Sequence, residues 1–194
     1  MGYYETLENV KEYIEMAKEY QSTLVVDLLK RHLSPGKSIL ELGMGPGNDF
    51  NCLDDDYEIL GTDKHEHFIR LFKAHSPEAN VGLLDAITLE IDRQFDCIYS
   101  NKVLMHLTKE ELHASLKKQW TLLKDQGILF HTFWYGEEKE IHGGLLNQYY
   151  TMKMLAYQVG DEFEVVLMAQ YEEFEPNDSI VMILKKRTLD NPSK

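Results

Sequence analysis

The chain is poor in cysteine: only Cys52 and Cys97 occur in its 194 residues, far apart and without the paired spacing of a zinc ribbon or redox motif. A disulfide framework is therefore excluded, and a reducing, cytoplasmic setting is expected. Long apolar runs are also missing, because charge interrupts every hydrophobic stretch before it could span a membrane. The first residues, Met1 to Glu5, lack the basic-then-apolar order of a secretory signal. Basic residues are in deficit, with 20 Lys and Arg against 33 Asp and Glu and a formal net charge of −13. Such a surface repels polyphosphate and no long basic run offsets it, so neither nucleic acid nor a membrane is an expected partner. Small molecules or proteins remain. Repeats and low-complexity tracts are absent, and the length suits one domain with a sizeable core.

Three of the twelve glycines, Gly43, Gly45 and Gly47, stand at every second position directly after the apolar run Ser38 to Leu42. The run reads as a short buried strand, and only glycine lets a chain turn sharply at its end while its backbone lies close against a ligand. This is a nucleotide-binding turn. Its spacing separates ligands: the dinucleotide fingerprint is G-x-G-x-x-G, and here Asn48 stands where the third glycine belongs, which disfavours NAD. A second run, Tyr57 to Asp63, ends in an acid twenty residues beyond Gly43. A carboxylate so placed in a strand-turn-helix-strand unit accepts hydrogen bonds from the vicinal hydroxyls of a ribose.

The pattern Glu41-x-Gly43-x-Gly45-x-Gly47 resembles motif I of the class I methyltransferases, which bind S-adenosylmethionine in this turn. The resemblance runs from Ser34 to Arg187. It implies an α/β fold of three layers: a doubly wound seven-stranded sheet in the order 3-2-1-4-5-7-6 with strand 7 antiparallel. N-terminal helices precede it here. It further implies an enzyme that uses S-adenosylmethionine to methylate a small-molecule acceptor. The alternative is a protein that binds S-adenosylmethionine or S-adenosylhomocysteine without transferring anything, as a sensor or a partner subunit. The segment Leu123 to Gly127 departs from the family, where many relatives carry a proline and two glycines, but it shapes a turn before strand five and not a ligand contact.

Periodicity divides the chain into an N-terminal helical cap (1–33), a cofactor-binding domain (34–187) and a tail (188–194). Leu7, Val10, Ile14 and Ala17, then Leu24, Val25, Leu28 and Leu29, predict two helices broken near Lys18 to Ser22. After Asp63 follow a helix from His67 to His75 and strands at Asn80 to Leu84 and Phe95 to Ser100. Thr108 and Glu111 form a capping box that opens an amphipathic helix closing near Gln126 and Gly127. A strand from Ile128 to about Trp134 leads into an acidic loop, Gly136 to Gly144, and a helix around Leu146 to Val159. Phe163 to Tyr171 and Ile180 to Lys186 close the chain as a hairpin. Alternating strands and helices imply a parallel sheet covered on both faces, with one antiparallel strand added by the hairpin.

In such a sheet the ligand crosses the carboxyl ends of the strands, so the candidate site residues follow each strand. Gly43, Met44, Gly45 and Gly47 would lie along the methionine part, and Glu41 would support the turn or reach the amino group through water. Asp63, with Lys64 beside it, faces the ribose. By resemblance Asp85 and Ala86 meet the adenine, although an Asp after a strand also caps turns. Ser100 and Asn101 would contribute to the amino-acid part. His106, after strand four, either accepts a substrate proton as a neutral imidazole or binds a backbone carbonyl. Trp134, Tyr135 and Tyr20 are candidates for the wall of a substrate pocket, and packing explains each nearly as well. Tyr13 would help Tyr20 cover the cofactor. No metal is expected: His65 and His67 point apart on a helix and lack a further ligand nearby.

Overall fold

The computed structural model describes residues 2–20 and 22–187; the tail 188–194 lies outside the described residues. After one 3-10 turn at Tyr3–Glu5 come two helices, α1 (Leu7–Ala17) and α2 (Thr23–His32). The alternating part follows as β1 (Ser38–Leu42), α3 (Asn48–Leu53), β2 (Glu58–Asp63), α4 (Glu66–His75), β3 (Val81–Leu83) and β4 (Phe95–Asn101). Then come α5 (Lys109–Leu122), β5 (Leu123–Trp134), the pair β6 (Lys139–His142) and β7 (Leu145–Gln148), α6 (Met152–Gln158), β8 (Phe163–Tyr171) and β9 (Ser179–Lys186).

Seven strands form one sheet in the order β3-β2-β1-β4-β5-β9-β8. Setting aside the separate β6/β7 hairpin, this is the 3-2-1-4-5-7-6 order. The first five of these strands pair in parallel, and β9 runs antiparallel to both neighbours. Its direction follows from its connection: a short turn joins β8 to β9, whereas a parallel pairing needs a crossover.

Every residue of β1 is buried, as a central strand covered on both faces requires. Alternate side chains feed two cores. Ile39, Cys97, Tyr99 and Phe130 pack with Val25, Val26 and Leu29 of α2, Phe50 and Leu53 of α3 and Ile69 of α4. Leu40, Ile98, Leu129 and Phe133 pack on the other face with Leu112 and Leu116 of α5 and Leu155 of α6. The molecule is thus a three-layer sandwich of helices, sheet and helices. Of the predicted cap, α2 is built into the sheet's core, while α1 buries only Val10 and contacts α4.

Two predicted boundaries move. Helix α5 opens on the Thr108–Glu111 capping box but closes at Leu122, because Leu123 turns extended, is fully buried and pairs with Phe95. Residues 124–127 then form an irregular bulge with Gln126 at a φ of +64° before pairing resumes at Ile128. The predicted loop and helix from Gly136 to Val159 are instead a hairpin followed by a shorter helix. Gly143 and Gly144 have φ values of +56° and +80°, the conformation of a tight two-residue hairpin turn, and they join β6 to β7. Helix α6 starts only at Met152, where the Thr151 hydroxyl accepts from the Met154 amide. Tyr149 and Tyr150 therefore precede the helix; Tyr150 is buried against Phe133.

Candidate active site

The glycine turn sits at the carboxyl end of β1. Gly43 and Gly47 are glycines because of their protein neighbours: at φ +68° and +85°, an added Cβ would stand 2.5 Å from Val103 and 2.2 Å from Phe72. Only Gly45 is open, with Tyr13 at 3.8 Å from such an atom. The cleft is bordered by Gly43, Met44 and Gly45, whereas Gly47, the N-cap of α3, lies outside it.

Four acids line the cleft. Asp63 ends β2 and is buried; its Oδ2 accepts from the Gly45 amide at 3.1 Å and its Oδ1 from the His65 amide at 2.8 Å. Burial pushes its carboxyl above the ordinary value, against the pull of these amides. Asp49 is buried beneath the turn, where its Oδ2 accepts from Tyr99 at 2.6 Å and Asn101 at 3.1 Å, and its Oδ1 from the Ser22 hydroxyl. Asp85 uses Oδ1 to accept from the Ile87 amide at 2.7 Å and the Thr88 amide at 3.3 Å, so it does cap its own turn while lining the cleft. Glu41 differs from the others. It is only 3% exposed, its Oε2 has no hydrogen-bond partner among the described residues, and it lines the cleft. Burial, reinforced by the charges of Asp49 and Asp63, holds its carboxyl well above the usual range. A buried ionised carboxylate without a partner is costly, so this position calls for a cation from a ligand.

The cleft, of about 180 Å³, runs along the strand ends past Glu41, Asp63, Lys64, Asp85, Ala86 and Asn101. Its roof comes from the N-terminal segment: Tyr4, Tyr13, Ala17 and Tyr20. Tyr4 packs edge-on to Tyr13 at 5.2 Å, to Phe68 at 5.4 Å and to His65 at 5.5 Å, which fastens the roof to α4. The far wall is Lys102, Val103, His106 and Leu107 after β4, with Leu145 of β7. His106 is half-buried, and its Nδ1–H donates to the Leu146 carbonyl at 2.7 Å. Burial lowers its pKa, so Nε2 carries a free lone pair at neutral pH.

Of the residues that sequence suggested, Ser100 lies outside the cleft, fully buried, with its hydroxyl on His131. Trp134 and Tyr135 also lie outside it. The Trp134 ring instead backs the Lys102 ammonium at 3.7 Å, and Tyr135 is exposed with its amide on the Asp178 carbonyl. The aromatic wall is therefore Tyr4, Tyr13, Tyr20 and Phe68. Sequence reasoning missed Tyr4, Phe68, Lys102 and Leu145. Phe68 follows β2 by a few residues and was reachable by the strand-end rule; Tyr4 and Leu145 carry no local signal, since distant packing brings them in.

Comparison with known proteins agrees with this geometry. The profile of the methyltransferase domain family matches residues 39–127, from β1 to the bulge in β5. An uncharacterized methyltransferase of Alkaliphilus oremlandii is 25% identical over 169 residues, covering 84% of this chain and 73% of that protein. Among solved structures, a TehB-like S-adenosylmethionine-dependent methyltransferase from Corynebacterium glutamicum superposes with a TM-score of 0.76 at 19% identity, over 94% of this chain and 100% of that one. The 1,6-didemethyltoxoflavin-N1-methyltransferase of Burkholderia thailandensis, solved with its substrate and S-adenosylhomocysteine, has a TM-score of 0.69 at 15% identity, over 94% and 87%. With the glycine turn, the acid ending β2 and the sheet order all in place, residues 39–127 match the methyltransferase domain family and the chain has the Rossmann-like fold of S-adenosylmethionine-dependent methyltransferases.

Proposed function

We propose that the protein methylates a small-molecule acceptor held under the tyrosine roof. The carrying observation is that roof: Tyr4, Tyr13 and Tyr20 cover the strand ends, so an acceptor has to fit a narrow aromatic cleft. The Burkholderia enzyme, solved with 1,6-didemethyltoxoflavin bound, supports the reading. The net charge of −13 speaks against nucleic acid as substrate. Two free cysteines suit a reducing cytoplasm, and no helix among the described residues is long and apolar enough to cross a membrane. Residues 34–187 would form the cofactor domain, and of residues 1–33 the segment from Tyr4 to Tyr20 would cover the cleft while α2 packs into the sheet's core.

Bound S-adenosylmethionine supplies a methyl group already activated by its sulfonium. The chain's own part is then to bind, orient and exclude water. Glu41 takes the ammonium of the cofactor, Asp63 the ribose hydroxyls, and Asp85 with the Ala86 amide the adenine; Asn101 borders the amino-acid part. The backbone at Gly43, Met44 and Gly45 lines the methionine chain, with Lys64 beside the ribose. Tyr20 and the residues after β4 hold the acceptor in line, at the ~3 to 3.5 Å separation that displacement needs. His106 offers Nε2 to accept a proton from the acceptor.

The test is turnover of a metabolite library with labelled S-adenosylmethionine, read by mass spectrometry. Label on a small product supports the proposal. Label found only on protein or nucleic acid overturns the small-molecule reading.

A further inference from the structure

A chain of four buried polar side chains crosses the apolar core between the sheet and α5 and ends at the cleft. Ser100, Ser115, Gln119 and His131 are all fully buried. His131 contacts the Ser100 hydroxyl through Nδ1 at 2.8 Å and the Gln119 Oε1 through Nε2 at 2.8 Å. Gln119 Nε2 donates to Ser115 Oγ at 3.0 Å, one helical turn away on α5, and Ser115 donates to the Ala86 carbonyl at 2.6 Å.

The donor in each hydrogen bond of this chain is determined by its neighbours. Gln119 Oε1 can only accept, so His131 carries its proton on Nε2. Burial drives the imidazole pKa down to about 3, so the ring is neutral and Nδ1 accepts from Ser100. The direction is therefore constant, from Ser100 through His131, Gln119 and Ser115 to Ala86. Four buried polar groups in an otherwise apolar core are costly unless all are satisfied, and here the last donor serves an irregular loop whose carbonyl has no strand partner among the described residues. The same loop is tied from its other side by the Ile87 amide, which donates to Asp85 Oδ1.

We infer that Ser115, backed by Gln119 and His131, is a positioning residue for adenosine: it holds the Ala86 peptide so that the loop presents its edge to the adenine ring. The inference rests on the placement of adenine at Asp85 and Ala86. Removing the hydroxyl frees the carbonyl, and the loop then has to be ordered by the ligand, so binding weakens on the adenosine side.

Calorimetry with S-adenosylhomocysteine and with 5′-methylthioadenosine, on the full chain, tests this. Ser115→Ala is expected to weaken both ligands by the same factor, roughly three- to tenfold, the scale of one net hydrogen bond. Ser115→Thr, which keeps the hydroxyl, restores both. Gln119→Met cuts the chain one link earlier and supplies the reading if Ser115→Ala does not fold. Asp85→Ala is the reference. If Asp85→Ala weakens both ligands while Ser115→Ala and Gln119→Met bind as the unaltered protein does, the positioning role is overturned and the adenine placement stands. Unchanged binding in Asp85→Ala as well overturns the placement, and the positioning role falls with it. Lower thermal stability at unchanged affinity for both ligands also sinks it, since that is what a purely structural chain would give.

Discussion

The ammonium of Lys102 lies 2.9 Å from Glu173 Oε2, joining the residue that follows β4 to the turn between β8 and β9. The pair is mostly buried, at 13% and 6% side-chain exposure. Glu173 also accepts from the hydroxyls of Tyr171, at 2.8 Å, and Tyr20, so one carboxylate ties the cleft wall to the roof. Lys102 further donates to the Phe133 carbonyl and to Ser179, and it stands in a left-handed conformation at φ +56°. Burial pushes its pKa down to about 8 despite the attraction of Glu173. Removing one partner leaves the other charge buried. We expect Lys102→Met and Glu173→Gln each to lose about 3 to 5 kcal/mol in urea unfolding. The double variant should lose clearly less than the sum, and additive losses would mean that the two groups do not act as a pair.

Acid should unfold the protein partly through His131. Its folded pKa of about 3 lies below the 6.5 of the unfolded chain, so between these values the unfolded state binds the extra proton. Stability from this group is therefore full above pH 6.5 and is lost as pH falls toward 3, at up to roughly 1.4 kcal/mol per pH unit. His65 and His106 shift the same way, so the measurement is a difference. His131→Gln, which keeps a donor for Gln119, should show a shallower loss of stability between pH 6.5 and 4 than the unaltered chain.

Two glycines of the turn should separate folding from binding. Gly47→Ala combines a positive φ with a Cβ 2.2 Å from Phe72, whose ring is held against Phe50. It should cost more than the ~1 to 2 kcal/mol of backbone strain alone while leaving cofactor affinity of the folded protein nearly unchanged. Gly45→Ala has room, with only Tyr13 at 3.8 Å, so it should cost less stability and more affinity for S-adenosylhomocysteine. Thermal unfolding and calorimetry on both variants check the contrast.

Cofactor binding should release a proton from Glu41. Its carboxyl is held well above the ordinary value by burial and by Asp49 and Asp63, and an arriving ammonium favours the ionised form. Affinity should therefore rise with pH through that raised pKa. Calorimetry in two buffers of different ionisation enthalpy should show proton release. Glu41→Gln should abolish it and lose about 1.5 to 3 kcal/mol of binding.

His106 can be tested without loosening the hairpin it anchors. His106→Asn keeps a donor that can replace Nδ1–H toward the Leu146 carbonyl but removes the lone pair of Nε2. If His106 is the base, turnover should fall by roughly two to four orders of magnitude at unchanged cofactor affinity. A fall of less than tenfold would leave it only the anchoring role.

Local rules in the chain were enough for most of the architecture. The burial of Ser38 to Leu42, the glycines behind it, the acid ending β2 and the Thr108–Glu111 box are short-range features, and each lies where its local chemistry puts it. The Gly143-Gly144 turn was written in the sequence as well, yet the surrounding acidic residues read as an open loop.

What only the tertiary structure decided concerns partners far apart in the chain. Gly47 looks like a ligand contact until Phe72 is found against it, and Trp134 looks like a pocket wall until Lys102 is found on its face. Tyr4 reaches the cleft only because α1 lies on α4, and Glu41 stands out only once no donor among the described residues is found for its Oε2. Sequence by itself determined the alternation of strands and helices and the nucleotide turn, because these depend on backbone conformation and on spacing within about twenty residues of chain, while the strand order and the cofactor were implied by the resemblance to the methyltransferase motif. The faces turned to the cleft depend on packing across the sheet, since a side chain's direction at a strand end depends on which distant neighbour fills the space beside it.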